Sequence, residues 1–377
     1  MKIFYITNAR IPTEKAHGVQ IMKACEAFAD TGCRVELVVP ERATNIPGNP
    51  FDFYGVRRNF TITKVPCFDA FRFERFFGRF SFWLQSVSFL MHLRNVRPPL
   101  DALVYTRTAE VAQLFSKKGY RVAFEAHAWP ESKQGFYQRL LRNINYIVCN
   151  SQGTETEFRK RGFQNTLVAP NGVDLSLFQA SKDTATLKQQ LGFPHDKKIV
   201  MYTGHLYAWK GADVILELTR HMSASPDVFF VLVGGTKSDV KKYSNSITKD
   251  RLENVVLCGH REQREIPNYL ACADALLLPN IPVSTESERY TSPIKMFEYM
   301  ASGKPIIASD LPSIREVLNE GNAILARAGD VSGFATGIKK ALTDDVLVAR
   351  ITAQARADVQ NYTWEKRAHK ILSVLRT

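Results

Sequence analysis

The chain has 377 residues, which is enough for two domains of about 150 residues each. Hydrophobic residues make up 45% of it and charged residues 23%, a globular composition that excludes disordered, collagen-like and coiled-coil proteins. The net charge is +13, and residues 1–170 carry most of it, with 24 Lys and Arg against 14 Asp and Glu. We therefore expect this half to meet an anionic partner: a membrane surface, a nucleic acid or a charged substrate.

Two features bear on the compartment in which the chain works. The first apolar run, residues 3–6, is too short for the core of a signal peptide, and no window of about 18 apolar residues could span a bilayer. Six scattered cysteines with no Cys-x-x-Cys pair indicate neither a zinc site nor a disulfide framework. We expect a cytoplasmic protein.

The first half opens with a strand–helix–strand pattern. A strand is predicted at residues 2–7, followed by a polar loop at 8–18 and an amphipathic helix that Gly32 ends. The β-branched run at residues 34–40 predicts a buried strand, and a further strand is predicted at 121–124. This order is typical of βαβ units, which build parallel sheets.

The second half repeats that rhythm. Strands are predicted at residues 198–203, 228–233, 254–258, 275–278, 305–309 and 323–326. Helices are predicted at residues 212–222, 264–272, 293–302, 312–319 and 331–342. A turn cluster at 169–174 separates the halves, so we expect two α/β domains, 1–170 and 171–360, and a terminal helix, 361–377, that packs back on the first.

The loop after the strand at 198–203 is a candidate anion site. Gly204 allows close approach of the backbone, and Lys210 stands just before a predicted helix, whose N-terminal N–H groups favour anions. Lys210 could therefore hold a phosphate. It could equally be a solvated surface lysine, because the loop is not a Walker A sequence.

The helix predicted at residues 293–302 carries a second candidate. Ser292 suits the N-cap, Pro293 the first helical position and Gly303 the C-terminal stop. Helical spacing puts Glu298 at the border of the apolar stripe, where a half-buried carboxylate needs hydrogen-bond donors such as a ribose diol. The alternative is a weak surface ion pair with Lys295 at i,i+3.

Strand ends of the first half supply further candidates. His127 follows a strand directly and could contact a substrate or stabilise developing charge, although most lone histidines do neither. Asn8, Arg107 and Glu125 also lie at or just past strand ends and are candidate acceptor or anion contacts.

The stretch from Phe68 to Trp83 alternates aromatic and basic residues. That pattern is typical of a segment that lies in a membrane interface. Stacking on nucleic acid uses the same residue types, and a core helix pair whose arginines face water would also fit.

Several familiar motifs are missing from the sequence. Gly234 and Gly235 lack the G-x-G-x-x-G spacing of a dinucleotide site, and there is no G-x-S-x-G elbow for a serine nucleophile. No Asp-x-Asp occurs, so we expect neither a metal nor another cofactor.

Seven segments, in this order, resemble the family-4 glycosyltransferases, which have the two-domain GT-B fold. They are the glycine loop ending at Gly18, Glu-x-His at 125–127, Pro-Asn-Gly-Val-Asp at 170–174, Gly-x-Leu-x3-Lys-Gly at 204–211, Cys-Ala-Asp at 272–274, Phe-Glu-Tyr-Met-Ala-Ser-Gly-Lys-Pro at 297–305 and the helix of Trp364. The resemblance implies two Rossmann-like domains facing across a cleft. It also implies a cytoplasmic-side enzyme that transfers a hexose from a UDP- or GDP-sugar with retention of configuration and without a metal ion.

The resemblance also implies roles for individual residues. Glu298 matches the glutamate that holds the donor ribose, Lys210 the lysine that neutralises the diphosphate, and His127 the histidine beside the donor sugar. Gly18 matches the point where donor phosphate and acceptor meet. The remaining implied donor contacts are Gly204, His205 and the backbone around the helix start, from Tyr290 through Thr291, Ser292, Pro293 and Ile294 to Lys295.

Two positions depart from the family pattern. Tyr290 stands where the family often has a second glutamate, so the usual carboxylate contact to the donor sugar's hydroxyls is either missing or supplied otherwise, for example by backbone N–H groups. His205 stands where a related pattern has arginine, which indicates a weaker or pH-sensitive diphosphate clamp.

We therefore expect a glycosyltransferase with a glycan, a lipid-linked or another membrane-proximal acceptor, and the Phe68–Trp83 stretch is a candidate contact with the inner face of the membrane. The rival hypotheses are a nucleotide-sugar epimerase of the same fold and a non-catalytic protein that binds anions or nucleic acid. No nucleic-acid partner is expected on the first interpretation.

Overall fold

A computed structural model describes residues 1–69, 78, 80–179 and 183–376. The chain divides into two compact units. The N-terminal unit comprises Met1–Pro170 together with Trp364–Thr377, and the C-terminal unit comprises Asn171–Thr363. Residues 70–77 and 79, most of the aromatic and basic Phe68–Trp83 stretch, lie outside the described residues.

The N-terminal unit is built on a parallel sheet of seven strands in the order β3-β2-β1-β4-β5-β6-β7. The strands are β1 (Lys2–Ile6), β2 (Arg34–Pro40), β3 (Thr61–Val65), β4 (Leu103–Thr106), β5 (Arg121–Ala126), β6 (Tyr146–Cys149) and β7 (Thr166–Val168). Strands β4 and β5 are buried along almost their whole length. Continuous burial is typical of parallel strands that helices cover on both faces.

Seven helices accompany this sheet in the described part of the unit. They are α1 (Ala16–Asp30), α2 (Pro50–Tyr54), α3 (Phe80–Leu93), α4 (Ala109–Lys117), α5 (Gln134–Leu141), α6 (Gln152–Lys160) and, from the end of the chain, α15 (Trp364–Leu375). Helix α15 packs against α1 and buries Ile371, Leu372 and Leu375 to 1% exposure or less. The last helix is therefore part of the core of the first unit.

The C-terminal unit contains a parallel sheet of six strands in the order β10-β9-β8-β11-β12-β13. The strands are β8 (Lys198–Thr203), β9 (Val228–Val233), β10 (Val255–Gly259), β11 (Ala275–Leu278), β12 (Ile306–Asp310) and β13 (Ile324–Arg327). Separate apolar clusters lie on the two faces of this sheet, one around Phe297 and one around Ile215. The expected fold class, two Rossmann-like α/β units, is confirmed.

Helices cover both faces of the second sheet. They are α7 (Thr184–Leu191), α8 (Ala212–His221), α9 (Lys237–Lys249), α10 (Ile266–Ala271), α11 (Ile294–Ser302), α12 (Pro312–Arg315), α13 (Val331–Thr343) and α14 (Asp345–Val359). Short 3₁₀ turns at Leu175–Phe178, Ala208–Lys210 and Gln263–Glu265 and a π-helical turn at Glu286–Tyr290 join them.

Several boundaries differ from the sequence prediction by one or two residues, and three differences change the position of a candidate residue or shorten a helix. Helix α1 begins at Ala16, so Gly18 lies in its first turn and not in the preceding loop. Strand β5 continues to Ala126, which places Glu125 inside the strand. Helix α12 ends at Arg315, four residues earlier than predicted. In each case, hydrogen bonds of the neighbouring strand or turn set the boundary, and single-residue propensities do not report them.

Each sheet reverses its strand order at one place, between β1 and β4 in the first and between β8 and β11 in the second. In open α/β sheets, the loops at the carboxyl ends of the strands diverge at such a point and leave a crevice that can accept a ligand. Asn8 and Arg107 follow the first pair of strands, and Gly204 and Asn280 follow the second. No helix among the described residues is long and apolar enough to cross a membrane.

Candidate functional site

In the C-terminal unit, the crevice begins at Gly204, directly after β8. Gly204 has a φ of +125°, and its N–H donates to the carbonyl of Val233 at 2.8 Å. A Cβ atom at Gly234, which follows β9, would collide with the carbonyl oxygen of Gly204. The two glycines therefore let the ends of β8 and β9 approach closely.

Lys210 closes the loop that follows. It ends the 3₁₀ turn at Ala208–Lys210, and Gly211, with a φ of +84°, leads directly into α8. A Cβ atom at Gly211 would collide with the carbonyl oxygen of Pro279 after β11, so this glycine fixes the loop against the neighbouring strand end. The Lys210 Nζ atom lies 5.0 Å from the centroid of the Trp209 ring, and burial lowers the pKa of Lys210 to about 8.

His205 lies in the same loop as a neutral, stacked ring. Its imidazole lies parallel to the Tyr207 ring, with centroids 4.9 Å apart. Burial, assisted by the charge of Lys210, lowers the pKa of His205 to about 4. At neutral pH, His205 therefore supplies no positive charge, in contrast to an arginine at this position.

The start of helix α11 differs in detail from the sequence prediction. Ser292 is not the N-cap; Pro293 occupies that position and makes no side-chain cap. The Ser292 hydroxyl oxygen instead accepts the N–H of Asn171 at 3.2 Å, and the Ser292 carbonyl accepts from the Asn171 side chain at 2.6 Å. The Ser292 side chain, which was predicted to cap the helix, thus holds Asn171, the first residue of the unit. The N–H groups of the first turn of α11 have no side-chain cap.

The residues just before this helix are packed into the unit. Tyr290 ends the π-helical turn and is 4% exposed. The hydroxyls of Thr291 and Ser313 lie 3.0 Å apart and share a hydrogen bond. The side chain of Ile294 is only partly buried, and the fully buried face of the helix is formed by Met296, Phe297, Tyr299 and Met300.

Lys295 is the second residue of α11 and is 7% exposed. Its Nζ atom lies 3.7 Å from the centroid of the Tyr202 ring, and a Cβ atom at Gly204 would lie 3.1 Å from it. In the part of the chain that the structure describes, this Nζ atom has no hydrogen-bond partner. Burial and the charge of Lys210 hold the pKa of Lys295 well below its usual value.

Glu298 lies one turn further along α11 and is 6% exposed. Its Oε1 atom accepts a hydrogen bond from the side-chain amide of Gln263, in the turn before α10. Burial raises the pKa of Glu298 to about 7. The weak surface ion pair with Lys295, the alternative considered above, is wrong for this carboxylate because both side chains are buried.

The N-terminal unit has a second polar cluster, centred on Glu125 in β5. Its Oε2 atom accepts from the Tyr5 hydroxyl at 3.0 Å, and Oε1 accepts from Gln20 at 2.6 Å and from Arg367 of helix α15 at 2.5 Å. Burial alone would raise the pKa of Glu125, but Arg367, His127 and Arg107 hold it well below its usual value. Both carboxylate oxygens of Glu125 therefore already have donors from the protein.

His127 follows β5 at the edge of this cluster. Its Nε2 atom lies 3.4 Å from Oε1 of Glu125, and its side chain is 24% exposed. Burial and the nearby charge of Arg107 lower the pKa of His127 to about 4. The ring is therefore neutral at physiological pH and can donate one hydrogen bond and accept another.

The other candidates of this unit have structural partners. Arg107 donates to the side-chain oxygen of Gln20 at 2.9 Å. The side chain of Asn8 bonds Gln85 and Ser86 of α3, each at 2.9 Å. A Cβ atom at Gly18 would collide with the hydroxyl of Tyr54, so packing alone requires a glycine there.

The residues that the structure describes contain no group of three or more His, Cys, Asp or Glu side chains that could hold a metal ion. The two clusters instead contain a buried and a half-buried lysine, Lys295 and Lys210, two buried glutamates and two neutral histidines, held near strand ends. Such groups suit the binding of an anion and of hydroxyls.

Comparison with known families agrees with this geometry. The family model "Glycosyltransferase Family 4" matches residues 17–177, and the model "Glycosyl transferases group 1" matches residues 183–358. Each unit is therefore matched along most of its length. The chain belongs to the family-4 glycosyltransferases.

Among curated proteins, this family-4 chain is 23% identical to "Putative teichuronic acid biosynthesis glycosyltransferase TuaC" of Bacillus subtilis, over 63% of the chain and 57% of the relative. It is 27% identical to "D-inositol 3-phosphate glycosyltransferase" of Xylanimonas cellulosilytica, over 55% of the chain and 50% of the relative. It is 28% identical to "Phosphatidyl-myo-inositol mannosyltransferase" of Mycobacterium leprae, over 55% of the chain and 52% of the relative. The match thus spans little more than half the length of these relatives.

Solved structures share the GT-B fold over the whole chain. Anabaena HepE, solved with UDP and glucose, has a TM-score of 0.77 at 20% identity and covers 100% of both chains. Sucrose-phosphate synthase from Thermosynechococcus elongatus has a TM-score of 0.75 at 18% identity, over 100% of this chain and 98% of its own. At these identities the likeness establishes the fold.

The partners of the two buried glutamates were not predicted from the sequence. Gln263 lies 35 residues from Glu298, and Arg367 lies 242 residues from Glu125. Gln263 is a polar residue that follows a predicted strand, and this position is a signal that could have indicated a role at the site. Arg367 follows Trp364 on the buried face of the last helix, and a basic residue on an apolar stripe is a signal for a buried ion pair.

Proposed function

We propose that this family-4 protein is a retaining glycosyltransferase that transfers a hexose from a UDP- or GDP-sugar to a glycan, a lipid-linked acceptor or another membrane-proximal acceptor. The observation that carries the proposal is the cluster at the strand ends of the C-terminal unit. There, Lys210, the uncapped start of α11 and the buried carboxylate of Glu298 supply the three groups that a nucleoside diphosphate needs.

The chemistry of the leaving group explains this set of residues. When a nucleoside diphosphate departs, the sugar becomes oxocarbenium-like and new negative charge develops on the phosphate oxygen. The Lys210 ammonium and the N–H groups of the first turn of α11 are fixed before the reaction and stabilise that charge. Glu298 accepts hydrogen bonds from the ribose hydroxyls. These hydroxyls either displace the side-chain amide of Gln263 from the carboxylate or bind beside it.

We assign the transfer to a mechanism without a metal ion. Fixed cations and helix N–H groups can neutralise a diphosphate in the way that a divalent ion does in other transferases. His127, as a neutral ring, is assigned a hydrogen bond to the sugar or the acceptor, with Glu125 as its positioning partner.

Relatives support the choice of donor and acceptor. One relative is described as a GDP-mannose-dependent phosphatidylinositol monomannoside mannosyltransferase, and HepE was solved with UDP-glucose. Other relatives are described as acting in teichuronic acid synthesis or on phosphatidyl-inositol. These acceptors are glycans and lipids, which agrees with our proposal of a membrane-proximal acceptor and a peripheral place at the inner face of the membrane.

A thermal-shift screen of UDP, GDP and ADP tests the donor site. A ligand at 100 times its Kd stabilises the folded state by about 2.7 kcal/mol, so one diphosphate should raise Tm and the others should not. Lys210→Ala and Glu298→Gln should reduce that shift. Lys339→Ala, which removes a lysine from α13, is the matched control and should leave the shift unchanged.

Incubation with the sugar nucleotide that fits best then separates the possible reactions. Slow release of the diphosphate, accelerated by a glycan or lipid acceptor, supports the transferase. Conversion of the sugar into its epimer without an acceptor would contradict it. If none of the diphosphates binds, but the protein binds DNA or RNA in a salt-sensitive way, the proposal is wrong.

A further inference from the structure

The side chain of Lys295 is a buried cation that the proposed function has not yet used. It lies in the first turn of α11, 7% exposed, with its Nζ atom against the face of the Tyr202 ring. No hydrogen-bond partner for this atom occurs in the described ranges. Glu298, one turn away, already accepts a hydrogen bond from Gln263.

Such an arrangement is costly for the folded protein. Removing an ammonium group from water costs several kcal/mol even in a relaxed protein interior, and contact with one aromatic ring returns only about 2 kcal/mol. Lys210 adds like-charge repulsion. An unpaired buried amine of this kind either loses its proton or keeps it with the help of an anion, and a bound anion would favour the charged form.

The position of the Lys295 Nζ atom indicates which anion binds it. A Cβ atom at Gly204 would lie 3.1 Å from it, so the ammonium reaches the backbone at the end of β8. The loop from Gly204 to Lys210 begins there, and its neutral His205 stands where a related family pattern has a permanently charged arginine. A positive charge missing from the loop is thus present on the neighbouring helix.

We propose that the Lys295 ammonium is a second diphosphate-binding cation, which acts with Lys210 and replaces the charge that His205 lacks. This inference rests on the proposed function, because it assigns the diphosphate of a nucleotide sugar to that site. The side chain of Lys295, and not only its backbone N–H, then contacts a non-bridging phosphate oxygen. The Tyr202 ring holds the ammonium in place until the ligand arrives.

Binding of nucleosides and nucleotides to a Lys295→Met variant tests the inference by calorimetry. Methionine keeps the length of the side chain and removes its charge. The affinity for the preferred diphosphate, UDP or GDP, should fall about tenfold or more, since charge-assisted hydrogen bonds are lost. The affinity for the corresponding nucleoside should stay within about twofold, because it carries no phosphate.

Two further measurements distinguish binding from a structural role. The unliganded Lys295→Met protein should be at least as stable as the wild type, since an uncompensated buried charge is gone. Adding His205→Arg to Lys295→Met should restore part of the diphosphate affinity, because the charge returns to the loop. Lys304→Met, just beyond the C-terminal end of α11, is the matched control and should change neither affinity.

The outcomes separate the two proposals. If wild-type protein binds no nucleoside diphosphate, both the proposed function and this inference are wrong. If the wild type binds UDP or GDP and Lys295→Met binds it equally well, only the inference is wrong. An equal loss of affinity for the nucleoside and for the diphosphate, together with a lower Tm, would mean that Lys295 merely supports the fold. If the methionine variant fails to fold, Lys295→Gln, which is also uncharged, is used for the same comparison.

Discussion

Lys210 and Glu298 respond to burial in opposite directions. Burial lowers the pKa of Lys210 to about 8 and raises the pKa of Glu298 to about 7. The lysine is fully charged only below its pKa, and the glutamate is fully charged only above its own. Both charges are therefore present together only in a narrow range around neutral pH.

We expect the affinity for the preferred nucleoside diphosphate to be greatest between about pH 7 and 8. Below this range Glu298 gains a proton and loses an acceptor for the ribose, and above it Lys210 loses the proton that a phosphate requires. Titration calorimetry from pH 5.5 to 9.5 checks this. Glu298→Gln should flatten the acid side of the profile and Lys210→Arg the alkaline side, because arginine stays charged throughout. An affinity that changes in one direction only across the range would contradict the assignment.

The positions of the candidate residues could be predicted from the sequence, but the residues that they contact could not. Lys210 and Glu298 lie where strand ends and helical spacing predicted them. The unpaired state of the Lys295 ammonium depends on the Tyr202 ring and on the donor that occupies Glu298, and those contacts join residues more than 30 positions apart. Spacing along one helix cannot report them.

Helix α15 is held to the N-terminal unit by a buried ion pair as well as by apolar contacts. Arg367 donates to Glu125 and, through Nε, to the carbonyl of Ala169 at 3.3 Å. Removing one partner of a buried pair leaves the other charge uncompensated, which typically costs 3–5 kcal/mol. Replacing both partners is much less harmful.

Arg367→Met and Glu125→Gln should each lower the free energy of unfolding by about 3 kcal/mol, and the double variant should lose less than the sum of the two. Because the folded pKa of Glu125 lies below its usual value of 4.5, its contribution is full above that pH and is lost as the pH falls. Calorimetric unfolding at pH 7 and pH 4 measures both effects. Strictly additive losses would show that the two side chains do not interact.

Strongly patterned elements were predicted well, and weakly patterned ones were not. Strands at residues 34–40, 198–203, 228–233 and 275–278 have the predicted bounds, because each is centred on a run of apolar residues. Helix α9 was not predicted; Tyr243 is its only fully buried residue, so it carries almost no apolar stripe. Helix α14 buries only Ile351, Ala355 and Val359 along fifteen residues.

Helix α3, in the basic half of the chain, exposes several large apolar side chains. Phe80, Phe82, Trp83 and Met91 are each more than half exposed on this helix. Large aromatic side chains in water, in the half of the chain that carries the basic excess, are typical of a surface that enters a membrane interface. The neighbouring residues 70–77 and 79 lie outside the described part, so the exposed part of α3 carries this interpretation.

We expect the protein to sediment with vesicles that contain anionic lipid at low salt, and to be released as salt rises, because lysine and arginine residues are attracted to the charged surface over about one Debye length. Neutral phosphatidylcholine vesicles serve as the control and should retain little protein. Phe82→Ser with Trp83→Ser should weaken binding without changing the nucleotide affinity. Absence of binding to anionic vesicles at low salt would count against a membrane role.

The two-domain α/β architecture followed from the alternation of strands and helices, but the strand order did not. Sequence periodicity shows that a strand is buried and not which strand lies beside it. The position of the crevices between β1 and β4 and between β8 and β11 is a consequence of that order. That order places Asn280, a buried residue that follows β11 and whose side-chain oxygen has no partner among the described atoms, at the same edge of the sheet as Gly204.

The assignment of Trp364–Thr377 to the same unit as Met1–Pro170 has a consequence for how the protein is made. On the ribosome, residues 1–170 emerge long before the helix that completes their hydrophobic core. The inserted unit, Asn171–Thr363, can fold as soon as it emerges, while the earlier sheet waits with Glu125 lacking its arginine. Premature termination before Trp364 would thus damage the unit that was translated first.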